Sequence, residues 1–285
     1  AAKRAEVAAQ HAMVRALTEL APLFSPFSGH LAVLPTPGIK NPWGTPLVRL
    51  LQEAGLATHL VLLSEQDLVN PRVFNTRNIW IAFYCGGEDY YQTVNRPGDG
   101  DAALQNWLKA GGTLVSLGSG PFPFYYNELD KPVVSASKFG LPIGGSGAGG
   151  RADTLGVVTT NGWEKAPEGM KLSFVVNRAA QVLPSLPATL PWEGVQDPRW
   201  RPIFNIVSPE DRYTPLVTLQ DSTGRNLGDA AAIIEYRRGD LAGARVVYVW
   251  HSLRLLPQCE RALTTDLLRY LLTHTAPPVA EYICP

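Results

Sequence analysis

Apolar runs alternate with amphipathic stretches through the first half of the chain. Four runs have the length and the near-continuous apolar character of buried strands: HLAVL (30–34), ATHLVLLS (57–64), NIWIAFYC (78–85) and TLVSL (113–117). Two stretches between them have helical spacing, TPLVRLLQEAG (45–55) and DAALQNWLKAGG (101–112). Strands that alternate with helices in this way predict a mostly parallel sheet flanked by helices. The pattern therefore predicts a flavodoxin-like or Rossmann-like α/β fold over about residues 28–128.

The pattern changes after Leu141. A glycine-rich passage, LPIGGSGAGGRADT, is followed by five short β-like runs: KLSFVV, IFNIV, YTPLVTLQD, AAAIIEYRR and ARVVYVWH. The last two are joined through Gly239–Gly243 and predict a β-hairpin. An amphipathic helix follows, ERALTTDLLRYLLTHT, with Leu263, Leu267 and Leu271 on one side. We expect the final strand and helix to return to the first sheet, so that the middle of the chain is a β-rich insertion.

These patterns divide the chain into four parts. Residues 1–27 are a lead-in helix, 28–140 together with 244–276 are the α/β domain, 141–243 are the β-rich insertion, and 277–285 are a tail. Val7, Val14 and Leu17 have helical spacing in the lead-in. This helix either packs on its own domain or tethers the chain to an upstream domain, and the sequence leaves both interpretations open.

The overall composition excludes some classes of partner. The chain has 25 basic and 25 acidic residues, and 45% of its residues are hydrophobic. This balance is typical of an ordinary soluble fold and argues against nucleic acid or an anionic membrane surface as a partner. No apolar run approaches the roughly 20 residues that span a bilayer. We therefore expect no membrane span and no nucleic-acid partner.

The three cysteines, Cys85, Cys259 and Cys284, form no C-x-x-C pair and have no histidine cluster beside them. We therefore expect no metal site and no cofactor. The tail is long enough to fold back along the last helix, because about ten extended residues span up to about 33 Å and the helix rises about 24 Å. A Cys259–Cys284 bridge would slightly favour a secreted or periplasmic location. Two unpaired cysteines fit the sequence equally well.

The predicted ligand site lies where two neighbouring strands each break into a glycine turn. Ligands of open α/β sheets bind at the carboxyl ends of the strands. Aromatic residues flank both turns, and such a group suits a stacking surface for a flat ligand or a sugar ring, although interior packing explains some of it. The predicted ligand-binding residues are Gly86, Gly87, Glu88, Tyr90, Tyr91, Gly118, Gly120, Phe122 and Tyr125.

Three residues are candidates for catalysis: His251 as a base, with Cys85 or Ser119 as a nucleophile. Each also has a structural interpretation, because a strand-end cysteine is often a small buried apolar residue and a histidine is often held by hydrogen bonds. A nucleophile elbow needs small residues two positions before and after the nucleophile. If Ser119 is the nucleophile, these two positions hold Leu117 and Pro121, which are not small. If the elbow is centred on Gly118, they hold the small residues Ser116 and Gly120.

The segments FYCGGEDYY, GGTLVSLGSG and GARVVYVWHSL resemble the class I glutamine amidotransferase-like superfamily. The resemblance is strongest to the N-terminal domain of biotin–protein ligase-like proteins and to related domains appended to glycoside hydrolases. It implies that Gly86 and Gly87 correspond to an oxyanion-hole turn and His251 to the base. The position of the family's cysteine is Gly118 here, and its acidic residue is Leu253. Two of the three triad positions thus lack the side chain that the reaction needs.

The sequence therefore predicts a non-catalytic, amidotransferase-like module for ligand binding or assembly. Its expected partners are a small molecule or a carbohydrate, together with other domains or subunits of a larger assembly. The alternative is a hydrolase or amidase that uses Cys85 or Ser119 with His251.

Overall fold

The computed structural model describes most of the α/β core and the strands that follow it. The described residues are 2–24, 30–36, 44–85, 89–91, 93–117, 125–126, 157–159, 164–165, 171–192, 199–200, 203–206, 210–249, 259 and 262–274. The helices are α1 (Ala2–Thr18), α2 (Ala21–Phe24), α3 (Gly44–Glu53), α4 (Glu65–Leu68), α5 (Asp99–Lys109) and α6 (Leu267–His274), and a π-helical turn (Ala262–Asp266) leads into α6.

The strands fall into two groups along the chain. The earlier ones are β1 (His30–Val33), β2 (Leu60–Leu62), β3 (Ile79–Tyr84), β4 (Asp89–Tyr90), β5 (Thr113–Ser116), β6 (Tyr125–Tyr126), β7 (Val157–Thr159) and β8 (Glu164–Lys165). The later ones are β9 (Leu172–Val176), β10 (Thr189–Pro191), β11 (Arg199–Trp200), β12 (Ile203–Ile206), β13 (Arg212–Asp221), β14 (Asn226–Glu235) and β15 (Arg245–Val249).

Within the described residues, eleven strands form one sheet. Nine of them follow the order β10-β9-β13-β14-β15-β5-β3-β1-β2, while β12 pairs with β14 and β7. Neighbours from β2 to β15 pair in parallel. The pairs from β15 to β10, and both pairs of β12, are antiparallel. The expectation of a mostly parallel sheet is therefore not confirmed, because the sheet is largely antiparallel.

The antiparallel half follows from the short connections between the later strands. Parallel neighbours need a long crossover, whereas a short turn can join only antiparallel ones. β14 and β15 are joined through residues 236–244, with Ala231 opposite Val249 and Glu235 opposite Arg245. The predicted hairpin through Gly239–Gly243 is thus confirmed, and Gly243 adopts a φ of 90° there. β9, β10, β13 and β14 lie in the part of the chain that the sequence assigns to an insertion. They belong to the same sheet as β1, β3 and β5.

The helices cover the parallel half in two groups. α1 contacts α3 and the π-helical turn, α2 contacts α6, and α4 contacts α5. The crossover through α3 leads from β1 outward to β2, while the crossover through α5 leads from β3 the opposite way to β5. Right-handed crossovers in opposite directions place their helices on opposite faces of the sheet. The core lies between these layers and includes the fully buried strand β3.

The lead-in helix packs on its own domain. Leu17 is fully buried, whereas Val7 is 44% exposed. Gln10 donates from Nε2 to the carboxylate of Glu53 on α3, at 3.1 Å. These contacts show that α1 packs against α3, with Val7 at the surface.

Cys259 is a free, buried cysteine just before the π-helical turn. A bridge between Cys259 and Cys284 is therefore not formed, and Cys284 itself lies outside the described residues. Burial raises the pKa of the Cys259 thiol to about 12, because the thiolate would lose its hydration. The thiol packs as a small apolar group, as buried cysteines commonly do.

Candidate functional site

The carboxyl ends of three parallel strands lie at one level. Tyr84 pairs with Ser116, and Ser116 pairs with Tyr248. The next residues along, Cys85, Leu117 and Val249, are therefore side by side, and each is at most 5% exposed. Together they form an apolar floor beneath the edge where the sequence predicts the site.

The segments that follow the two glycine turns come together beyond the strand ends. β4 and β6 pair in parallel, with Asp89 opposite Tyr125 and Tyr90 opposite Tyr126. The turns themselves lie outside the described residues: these are Gly86, Gly87, Glu88, Gly118, Ser119, Gly120 and Phe122. The crevice between these turns stays a prediction. The backbone segments that follow the turns, β4 and β6, do pair with each other.

Two of the predicted aromatic residues have different surroundings. Tyr90 is fully buried, and its hydroxyl donates to the carbonyl oxygen of Gly100 at 2.9 Å. Its ring therefore supports the first turn of α5 and offers no stacking face to a ligand, contrary to the sequence-based expectation. The sequence could not distinguish the two roles, because both place an aromatic residue beside a glycine turn. Of Tyr125, only the backbone is described.

Tyr91 is half-buried and remains at the surface of the site. Burial raises the pKa of its phenol, and the charge of Glu65 with a hydrogen bond to that carboxylate adds to the effect. Glu65 is exposed and begins α4, directly after the carboxyl end of β2. The Tyr91–Glu65 pair therefore joins the segment after β3 to the segment after β2 at this edge.

Gln66 and Asn95 lie next to this pair, and the four residues Glu65, Gln66, Tyr91 and Asn95 are called the rim below. Gln66 and Asn95 exchange two side-chain hydrogen bonds, at 3.2 and 3.0 Å. Asp99 accepts from the backbone N–H groups of Val94 and Arg96, at 2.8 and 2.9 Å. Burial would raise the pKa of Asp99, but these and further backbone hydrogen bonds outweigh it and hold the pKa below its ordinary value. The rim thus presents polar side chains from a loop that several hydrogen bonds tie to the start of α5 and to α4.

Sequence reasoning predicted Tyr91 but missed Glu65, Gln66 and Asn95, although one signal was present. Ser64 and Asp67 form a capping box, in which each side chain accepts from the other residue's backbone N–H. The spacing Ser-x-x-Asp after an apolar run is a recognised helix start. It would have placed Glu65 and Gln66 in the first turn of a helix at the carboxyl end of β2.

The long strands β13 and β14 project past the level of the floor. Ala231 pairs with Val249 on one side and with Val217 on the other. Residues 218–221 and 226–230 therefore continue beyond the carboxyl end of β15 and stand as a wall beside the edge. β9 pairs with this projecting part of β13, from Val217 to Asp221.

A buried carboxyl group lies at the base of this wall. Asp229 is 4% exposed and accepts hydrogen bonds from the hydroxyls of Tyr213, at 2.5 Å, and Thr218, at 2.7 Å. Burial raises the pKa of Asp229, although the two hydroxyl hydrogen bonds oppose the shift. The pKa of Tyr213 is raised by its own burial and by the charge of Asp229. Sequence reasoning missed Asp229 because it stands at the start of an apolar strand.

Of the three catalytic candidates, only Cys85 lies in the described residues, and Ser119 lies outside them. Cys85 has no exposed surface, so a substrate cannot reach its sulfur in this conformation. β5 and β15 lie between β3 and β14, which separates Cys85 from Asp229 by about 14 Å at the usual strand spacing. His251, the predicted base, lies outside the described residues. In the part of the chain that the structure describes, no three His, Cys, Asp or Glu residues are grouped to hold a metal ion.

Comparison with known proteins adds little to this description. No protein-family model matches the chain, and no curated protein matches it. One similar solved structure is the cytoplasmic protein STM3548 from Salmonella typhimurium, with 11% identity and a TM-score of 0.47. The match covers 87% of this chain and 99% of that protein's chain. A similarity this distant carries no argument about function. Over the described residues, no helix has the length and apolar character needed to cross a membrane.

Proposed function

We propose that this chain is a non-catalytic, amidotransferase-like module whose site lies at the carboxyl edge of the parallel strands. One observation supports it most: the segments after β3 and β5 leave neighbouring strands and pair again as β4 and β6. The chain thus comes together again beyond both turns, and open α/β sheets bind their ligands at such strand ends.

The order of the parallel strands supports the flavodoxin-like part of the proposal. Along the chain, the five parallel strands are β1, β2, β3, β5 and β15. Across the sheet they lie in the order β2-β1-β3-β5-β15. This is the 2-1-3-4-5 order of flavodoxin-like folds, and it differs from the 3-2-1-4-5-6 order of the Rossmann fold. The antiparallel strands continue from the fifth position and leave the order intact.

The rim supports a small polar ligand, and we propose a carbohydrate. Tyr91 offers a partly exposed ring, and Glu65 lies against its hydroxyl. Gln66 and Asn95 add planar amide groups that both donate and accept hydrogen bonds. Carboxylate and amide groups beside an aromatic ring suit the alternating hydroxyls and C–H faces of a sugar.

The absence of glutaminase chemistry is part of the proposal. By resemblance, Gly118 and Leu253 stand where the reaction needs a nucleophile and an acid. The alternative, a hydrolase that uses Cys85 or Ser119 with His251, is weakened by the complete burial of Cys85. A nucleophile must reach its substrate before any activation of its thiol can matter.

Glycan binding by the purified chain tests the ligand proposal. We expect a subset of immobilised glycans to bind, with the hits confirmed by calorimetry. Tyr91→Ala and Glu65→Ala should weaken binding by about tenfold or more, because each removes part of the rim. Tyr270→Ala is the matched control: its ring stacks on His274 at the other end of the sheet, with 4.1 Å between ring centroids. Loss of binding in the control alone, or no glycan bound at all, would contradict a carbohydrate site here.

A glutaminase assay tests the other half. We expect no release of ammonia from glutamine above background. Turnover that disappears in Cys85→Ala or Ser119→Ala would replace the binding-module proposal with the hydrolase alternative.

A further inference from the structure

The loop between β9 and β10 lines a cavity, open to solvent, that the proposed function does not use. Its volume is about 380 Å³, and it is lined by Asn177, Arg178, Gln181, Leu183 and Pro184. Pockets for small molecules commonly have volumes of about 300–1,000 Å³, with a few polar groups on an otherwise apolar lining. The loop belongs to the antiparallel half of the sheet and shares no residue with the rim at the carboxyl edge.

The cavity is held in shape from both sides. The backbone N–H of Asn177 donates to the carbonyl of Leu216 at 2.9 Å, and its side-chain amide donates to the carbonyl of Pro215 at 2.7 Å. On the other side, the backbone N–H and the hydroxyl of Ser185 both donate to Asp266 of the π-helical turn, at 2.8 and 2.6 Å. A site that is fixed before binding loses less entropy when a ligand enters.

Gln181 lies in the cavity wall with a strained backbone. Its φ of 54° is left-handed, and no other non-glycine residue in the described ranges has a positive φ. Residues other than glycine adopt this conformation at a cost and retain it where their surroundings fix it, often at binding sites. The strained φ of Gln181 therefore indicates that surrounding contacts fix the backbone conformation of this turn.

Arg178 supplies the positive charge of this cavity. One terminal nitrogen of its guanidinium donates to the carbonyl of Pro184 at 3.0 Å, which holds the group against the loop. Among the residues that the structure describes, no carboxylate forms an ion pair with Arg178. Asp266, on the far side of the loop, accepts its hydrogen bonds from Ser185. The guanidinium has five N–H donors, so further donors remain for a ligand.

We propose that this cavity binds a small monocarboxylate, with the carboxylate on Arg178 and the apolar body against Leu183 and Pro184. The planar fork of an arginine matches a carboxylate, and such charge-assisted hydrogen bonds are stronger than neutral ones. The side-chain amide of Gln181 adds a neutral donor. One guanidinium balances one negative charge, which favours a carboxylate over a phosphate dianion.

Fluorine NMR titration of the full chain with 4-fluorobenzoate tests the proposal. We expect saturable binding of this probe and binding of the uncharged 4-fluorobenzamide that is weaker by about tenfold or more. Arg178→Gln should abolish the preference for the charged probe, and Arg178→Lys should retain part of it because the charge remains. Arg77→Gln is the control, since Arg77 is also an exposed arginine but lies in the turn before β3.

Each contrary outcome overturns the proposal. Binding of neither probe at millimolar concentration rules out a monocarboxylate site of this kind. Equal binding of both probes, or binding that Arg178→Gln leaves unchanged, places the probe elsewhere. Competition by inorganic phosphate stronger than by acetate would assign the cavity to phosphate instead. Because Arg178 is exposed, its variants are expected to fold, and their melting temperatures confirm that they do. The outcome is independent of the glycan and glutaminase assays, which concern the carboxyl edge.

Discussion

The indole ring of Trp107 lies directly against the α-carbon of Gly112. A β-carbon at position 112 would lie 2.5 Å from the ring, well inside the contact distance of two carbon atoms. The ring has no room to withdraw, because its Nε1 donates to the carbonyl of Ile79 at 2.8 Å and its face stacks on Phe74. Because Gly112 has no β-carbon, the chain can pass from α5 into β5 while staying in contact with the Trp107 ring of α5.

Gly112→Ala should therefore be strongly destabilising. We expect a loss of about 2–4 kcal/mol in the free energy of unfolding, because the ring must shift and lose its hydrogen bond. Urea denaturation followed by tryptophan fluorescence measures it. Gly224→Ala is the control: its φ of 83° is strained, but a β-carbon there meets nothing within 4 Å. That variant should lose only about 1 kcal/mol. Equal losses in the two variants would mean that contact with Trp107 is not the cause.

The buried Asp229 should make the native state less stable as pH rises. Its pKa in the folded state is raised above the ordinary value of 3.8. The protonated carboxyl is therefore favoured by folding, and this contribution is lost as the pH increases from about 4 through the raised pKa. Asp229→Asn removes the titration while its amide can still pair with both hydroxyls. The unfolding free energy of the native chain should fall relative to that of Asp229→Asn over this range, measured by urea denaturation at a series of pH values. A constant difference would contradict it.

Asp229→Ala tests the hydrogen bonds separately from the charge. It leaves the hydroxyls of Tyr213 and Thr218 without their acceptor in a largely buried position. At low pH, where Asp229 is protonated, we expect it to cost about 2–4 kcal/mol, more than Asp229→Asn, because unsatisfied buried polar groups are costly. If the two variants were equally stable, water would be satisfying the hydroxyls.

Asp99 should show the opposite dependence on pH. Its folded pKa is below its ordinary value, so its contribution is present above that value and is lost as the pH falls through the folded pKa. Asp99→Ala removes the acceptor of the backbone N–H groups before α5 and should cost about 1–2 kcal/mol at neutral pH, the usual cost of a lost helix-start acceptor. The loss should shrink in acid. Hydrogen exchange of the Val94–Arg96 amides reports the same bonds directly.

Thiol counting checks the cysteines. Because Cys259 is free in the structure, titration under denaturing, non-reducing conditions should find three reactive groups. In the native state Cys259 should react slowly with alkylating agents, since its pKa is raised to about 12 and it is buried. One reactive group under denaturing conditions would restore the Cys259–Cys284 bridge.

The local elements of this fold can be predicted from the sequence, whereas their long-range pairing cannot. The apolar runs 78–85 and 113–117 contain β3 and β5, and the stretch 45–55, which has helical spacing, contains most of α3. Nothing local indicates that Val217 pairs with Val176 of β9, since the two residues are 41 positions apart in the chain. That pairing adds β9, and through it β10, to the antiparallel side of the sheet.

The candidate site was likewise predictable only in part. The strand ends were located correctly because apolar periodicity fixes where a strand stops. The orientation of a side chain in the loop beyond depends on tertiary contacts, so Tyr90 was expected to face a ligand and instead bonds to Gly100. Asp229 was overlooked because a single acid before the apolar run AAAIIEY indicates nothing until β13 supplies Tyr213 and Thr218 beside it.

The two outermost strands of the nine-strand path have a consequence for self-association. β2 and β10 are each three residues long, and β10 ends in Pro191, which has no N–H to donate. An exposed strand edge recruits other chains through its unpaired backbone groups, and short edges and prolines are the usual protection. Lengthening β2 by apolar residues beside the 59% exposed Leu62 would open one end of this sheet to fibrillar growth. The brevity of these two strands therefore keeps a wide, largely antiparallel sheet from templating its own aggregation.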